Sequence, residues 1–177
     1  MTRQKMDRRS RRTRGALHSA FVELVLSRGY AAVSTGEICD RANVGRSTFY
    51  SHYRNKKELL EESLQHPCEG LAACLRADAT SRELVPLLTH FTEQRSLNRV
   101  FFEYPIRGVW VRTLARMIER RLPRSARAKL PAGLTALVVA ESQIALIAHW
   151  LTGKFCVQPE TVAAMLLTNT RTLLGNQ

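Results

Sequence analysis

Between Arg46 and Lys56 the chain concentrates side chains that hydrogen-bond outward: Arg46, Ser47, Thr48, Tyr50, Ser51, His52 and Lys56. Phe49 and Tyr53 fall at the spacing that turns one face of the same short helix toward a core. The chemistry such a set can do is recognition of a duplex. A guanidinium at Arg46 can give two hydrogen bonds to guanine O6 and N7, and Ser47 and Thr48 can meet base edges, a thymine methyl or a phosphate. Tyr50, His52 and Lys56 lie where a sugar-phosphate strand would pass, and there they would position rather than specify. Thr35, at the start of a preceding short helix, offers a phosphate both its hydroxyl and the helix N-terminus.

These residues need elements that hold them at a steep angle. After a basic arm, Arg3–Arg14, a first helix places Leu17, Ala20, Phe21, Leu24 and Val25 on one face and ends at Gly29, which suits a left-handed C-terminal residue. Ser34 and Thr35 are cap candidates for a second helix, Thr35 to about Ala42, with Ile38 and Ala42 inward. Asn43 and Gly45 make a compact turn around Val44, and a third helix covers roughly Arg46–His52. Asn55 caps a fourth that begins near Lys56, with Glu58, Glu61 and Glu62 in its early turns, where the helix dipole favours acids. Two short helices across a tight turn, packed on a longer one, form a helix-turn-helix.

The run from Gly29 to Leu60, read as G-Y-…-T-…-I-…-A-x-V-…-T-F-Y-x-H-Y-x-x-K-x-x-L, resembles the DNA-binding domain of the TetR family of bacterial regulators. The resemblance implies a homodimer on a palindromic operator, usually a repressor, with phosphate contacts from Thr35, Tyr50, His52 and Lys56 and base contacts from Arg46, Ser47 and Thr48. It also implies that a small-molecule effector in the C-terminal domain moves the helix after Lys56 like a lever. Gly36 stands where a longer side chain is often found, which argues against base reading from the second helix. Gly45 leaves the recognition helix a weaker cap.

Charge points the same way. Of the 27 Lys+Arg and 15 Asp+Glu, thirteen and four lie in residues 1–57, so a third of the chain carries +9 of the net +12. Such asymmetry implies a polyanionic partner. At 45% hydrophobic the chain can bury a core. The longest apolar stretch, near Ala136–Ala140, is cut by Glu141, and the charged N-terminus lacks the apolar core of a secretory signal, so the expected location is cytoplasmic, without membrane. Cys39, Cys68, Cys74 and Cys156 lack metal spacing and read as reduced packing thiols, Cys74 being the one whose pKa a neighbour, Arg76, could lower. No metal, cofactor or catalytic constellation is expected, and an enzyme is disfavoured.

The predicted architecture is all-α: a three-helix DNA-binding domain over 1–57 and a helical effector and dimerisation domain over 58–177. Its later helices are expected at about 68–77, 81–95, 97–103 continuing past Pro105 to 121, 132–152 and 158–174, with Pro67 and Gly70 marking a break. His90, Phe91, Phe101, Phe102, Tyr104 and Trp110 are candidates for an effector pocket. Leu137, Glu141, Ile144, Ala148, Val162, Met165, Leu166 and Asn169 are candidates for a dimer interface. A second basic patch, Arg107–Lys129, includes Arg112, Arg116 and Arg120 at helical spacing and reads mainly as a solvated face. The alternative function is a DNA-organising protein, or an activator, using the same domain without an inducer.

Overall fold

The computed structural model describes residues 2–93, 99–122 and 130–175, and within them all regular structure is helical. The chain forms two compact units, Met1–Ser63 and Leu64–Gln177. The first holds α1 (Thr2–Arg28), α2 (Thr35–Ala42), α3 (Arg46–His52) and α4 (Lys56–Ser63). The unit therefore ends after α4, not at residue 57. Leu59 and Leu60 are fully buried, and Glu62 sits beside Tyr53 and Arg14, which ties α4 to the elements before it.

The basic arm is continuous with the first helix, and Leu17, Ala20, Phe21 and Val25 are its buried face, with Leu24 half-buried. Gly29 ends α1 at φ +77°. Asn43 takes φ 52° and ψ 48°, the left-handed conformation that an asparagine tolerates, and so joins α2 to α3 with Val44 half-buried beneath. Asn55 Oδ1 accepts from the backbone N–H groups of Lys57 and Glu58, which caps α4 as its side chain should.

The second unit begins with α5 (Gln65–Ala72), so the break falls at Leu64 and Pro67 sits in the first turn, where its missing N–H costs nothing. Short 3₁₀ turns at Ala73–Leu75 and Ser81–Glu83 lead to α6 (Val85–Glu93), and another covers Arg99–Phe102. The helix expected to run through Pro105 does not. The chain bends at a cis Tyr104–Pro105 bond and α7 (Ile106–Arg121) starts afresh, because proline cannot donate to a continuing helix. Then α8 (Ala132–Leu151) and α9 (Pro159–Leu174) close the unit, the last with Pro159 in its first turn and Gly175 left-handed at its end.

α8 is central, packing along α7 on one side and α9 on the other. By length and composition it is apolar enough to cross a membrane. Eight of its residues, among them Val139, Ile144, Ile147 and Trp150, are instead buried in the helical unit. Gln143, also buried, donates from Nε2 to Thr170 Oγ1 at 2.8 Å and bridges α8 to α9.

The start of α2 carries a reciprocal cap. Ser34 N–H and Oγ donate to Glu37 Oε2 at 2.8 and 2.7 Å, Glu37 N–H donates back to Ser34 Oγ, and Arg28 pairs with Glu37 Oε1 at 2.8 Å. The Ser34 backbone N–H first, then its hydroxyl and Arg28, hold the Glu37 carboxyl down at about 2. A depressed carboxylate stabilises the fold above its unfolded pKa and loses that contribution as pH falls through its folded one. Glu37→Gln should therefore melt below the wild type at neutral pH and converge with it as pH drops from about 4.5 toward 2, followed by circular dichroism melts across that range.

Candidate nucleic-acid interface

The outer face of α3 is built from one inward anchor. Phe49 is fully buried, Tyr53 nearly so, and their rings lie 5.6 Å apart. With Phe49 inward, helical geometry turns Ser47, Thr48 and Tyr50 out, while Arg46, one turn before Phe49, stands at the start of the helix; all four are exposed. Tyr50 is 58% exposed, its ring set edge-on to Phe49 at 5.4 Å, so the phenol is presented on a fixed base. Ser51 is exposed too, but its hydroxyl donates to the Thr48 carbonyl at 2.7 Å. His52 is half-buried with its ring near Tyr53. Thr35 occupies the first turn of α2. Gly45 precedes α3 with no side-chain cap, as its lack of a side chain requires.

Burial, then Glu62 beside it, pushes the Tyr53 phenol up to about 12, so it stays a protonated donor at any physiological pH.

Lys56 also holds the backbone of its own unit. Its Nζ donates to the Tyr30 carbonyl at 2.8 Å and to the Val33 carbonyl at 2.7 Å, and lies 4.5 Å from the centre of the Tyr30 ring. Two of the three ammonium N–H donors thus hold the loop between α1 and α2. Sequence spacing alone does not reveal this, because the acceptors are backbone atoms more than twenty residues away.

Other cations of this unit are also engaged. Arg28 pairs with Glu37, Arg41 with Glu23 at 2.7 Å, and Lys57 with Glu61 at 3.8 Å. The Arg46 guanidinium has no hydrogen bond or ion pair among the described residues. Its guanidinium lies against Gly36.

The pocket candidates fall into different settings. Phe91, Phe102 and Trp110 meet as one buried cluster, Phe102 stacked on Trp110 at 4.9 Å and Phe91 edge-on to both. Phe101 is half-buried, whereas His90 and Tyr104 are exposed, Tyr104 at 95%. An open depression of about 360 Å³ in the helical unit borders this cluster at Phe102 and is lined further by Glu103, Ala148, His149, Thr152 and Lys154. Trp110 Nε1, Thr113 Oγ1 and Gln143 Oε1 are buried without a hydrogen-bond partner among the described residues.

The interface candidates divide. Ile144, Val162 and Leu166 are at most 2% exposed and belong to the core of their own helical unit, because the inward faces of α8 and α9 pack within it. Leu137, Met165 and Asn169 are exposed, Ala148 is half-buried, and half-buried Glu141 pairs with Arg107. The exposed apolar row also includes Leu134, Val138 and Leu173. In the second basic patch Arg112, Arg116 and Arg120 are exposed on α7. Arg124, Arg127 and Lys129 lie outside the described residues.

Burial drives the thiols upward, Cys68 to about 12 and Cys74 to about 11. Arg76 does not activate Cys74, since it is paired with Asp78 and Glu83.

Residues 17–63 match the family described as bacterial regulatory proteins, tetR family. A stretch of 63 residues, 36% of this chain, is 38% identical to the transcriptional activator FasR of Mycolicibacterium smegmatis, of which it covers 29%. The chain spans only 17 to 41% of the length of the curated relatives it matches. Its fold is similar to a TetR transcriptional regulator from Streptococcus agalactiae 2603V, with TM-score 0.62 and 24% identity over 94% of this chain and 98% of that one. It is also similar to NalD, the secondary repressor of the MexAB-OprM multidrug efflux pump in Pseudomonas aeruginosa, with TM-score 0.55 and 26% identity over 93% and 96%.

Lys56→Met keeps the aliphatic stem and removes the ammonium. It should lower the stability of the unit by about 1.5–3 kcal/mol, the range for hydrogen bonds to a charged group, as read by urea unfolding.

Proposed function

We propose that the chain, whose residues 17–63 match the tetR family of bacterial regulatory proteins, is a cytoplasmic, sequence-specific transcriptional regulator, not an enzyme, that binds a palindromic operator as a homodimer. The observation that carries this reading is the exposed row Arg46, Ser47, Thr48 and Tyr50, projected from a short helix by buried Phe49. A helix of that kind fits a major groove about 12 Å wide. Arg46, Ser47 and Thr48 read bases, while Thr35, Tyr50 and His52 hold phosphates; Lys56 acts behind them by fixing the loop that leads into α2.

Dimerisation runs through α8 and α9, supported by the exposed apolar residues Leu134, Leu137, Val138, Met165 and Leu173. Water-exposed apolar groups of this number on two adjacent helices are what an isologous four-helix contact would cover. A small-molecule effector enters the helical unit, a reading supported by the open depression lined by Phe102, Glu103, Ala148, His149, Thr152 and Lys154. Its binding changes the separation of the two recognition helices, which must match half-sites about 34 Å apart. Repression relieved by the effector is the favoured outcome, supported by the likeness to NalD over nearly the whole chain. Activation is the second reading, supported by FasR, whose match is confined to 63 residues.

Footprinting on DNA around the gene should reveal one palindromic site, and light scattering should give twice the 20.0 kDa chain mass. Dispersed, sequence-indifferent protection would reject the reading in favour of a DNA-organising protein. Tyr50→Phe should weaken binding to every operator variant by a similar factor, as loss of a phosphate contact does, whereas a change confined to one base pair would move Tyr50 among the base readers.

A further inference from the structure

A helix of eight residues gains little from a glycine at its second position, since glycine is the poorest helix former short of proline. Geometry accounts for the one at Gly36. A Cβ built there would lie 2.7 Å from Arg46 Nη2, 3.4 Å from Cζ and 3.7 Å from Nε. The guanidinium therefore occupies the space that a side chain of α2 would take. It reaches there from the first turn of α3, across the turn that joins the two helices. Its charge is felt within α2 as well, where it opposes the upward push of burial on the Cys39 thiol.

Nη2 and Nε are the nitrogens nearest the glycine, and Nη1 lies farther from it. Arg46 has no acid or carbonyl competing for those donors among the described residues, unlike Arg28 and Arg41. We propose that Gly36 is a specificity-determining residue acting through Arg46: having no side chain, it sets the direction in which the guanidinium meets a guanine. Gly36 touches no base itself; it is a positioning residue. This rests on the reading of α3 as the groove-facing helix.

The arrangement makes an unusual demand on a substitution. The far end of an arginine is free to swing, so a methyl at position 36 displaces the guanidinium instead of disturbing the core. Alanine should then leave the fold intact, and by its better helix propensity the variant should melt no lower than the wild type. What it changes is where the donors point, and a displacement of that order spoils a two-bond contact to guanine O6 and N7.

The test uses four full-length proteins: wild type, Gly36→Ala, Arg46→Ala and the double variant. Wild-type protein first selects duplexes from a library randomised across the site. Affinities are then measured for the selected duplex with each of the four bases at every position. Arg46→Ala should flatten the preference at one base pair per half-site, by roughly five- to 150-fold. Gly36→Ala should flatten the same base pair by several-fold, leave the others, and add nothing in the Arg46→Ala background. An unchanged preference in Gly36→Ala, an equal loss for every sequence, or the same effect with Arg46 already absent would each overturn the proposal. The two ideas separate cleanly: if Arg46→Ala alters no base preference, the assignment of Arg46 to the groove fails and takes this inference with it. If Arg46→Ala has its effect and Gly36→Ala has none, only the inference about Gly36 falls.

Discussion

The entry of the chain into α2 is held by a lysine from α4. Lys56 opens α4, and its ammonium reaches back to two carbonyls of the loop between α1 and α2 while covering the Tyr30 ring. One charged group thereby fixes the path of the chain into α2 from the far side of the helix-turn-helix. Since the acceptors are backbone oxygens, the clamp is indifferent to which side chains the loop carries at Tyr30 and Val33. It constrains a route and not a composition. The reciprocal cap of Ser34 and Glu37 then sets where α2 starts, and the left-handed Asn43 sets how steeply α3 leaves it.

Much of this was legible before any coordinates. The bounds of α2 and α3, the left-handed Asn43, the caps at Ser34 and Asn55 and the ends at Gly29 and Gly175 follow from local chemistry, because each depends on residues a few positions apart. The loop bonds of Lys56 are not legible for the opposite reason: its partners are distant in sequence and lack a residue signature. The same limit governs net charge. A formal +9 over residues 1–57 counts every cation alike, whereas Arg28, Arg41, Lys56 and Lys57 are held by groups of their own unit. The charge that faces outward is a smaller and more directed quantity than the sum.

In the helical unit, periodicity located the long helices but could not say which apolar face meets which neighbour. Phe91, Phe102 and Trp110 have the composition of a ligand-lining set, yet they satisfy one another. Ile144, Val162 and Leu166 look like interface residues until α8 and α9 are seen packed within one subunit, with Leu134, Leu137, Val138 and Met165 left on the outside. A sequence announces that a residue is apolar. Whether the water it loses is displaced by its own chain or by another's is decided only by tertiary packing.

The cysteines carry a practical consequence. Three of the four thiols are buried, and those of Cys68 and Cys74 are raised to about 12 and 11, so thiolate is scarce at each. Cys156 alone is exposed, in the short connection between α8 and α9 that the bond from Trp150 Nε1 to the Val157 carbonyl closes at 2.8 Å. The native chain therefore offers maleimide chemistry a single address, on a tethered loop in the helical unit. A dye or spin label attached there would report on each copy of the chain without any cysteine having to be removed.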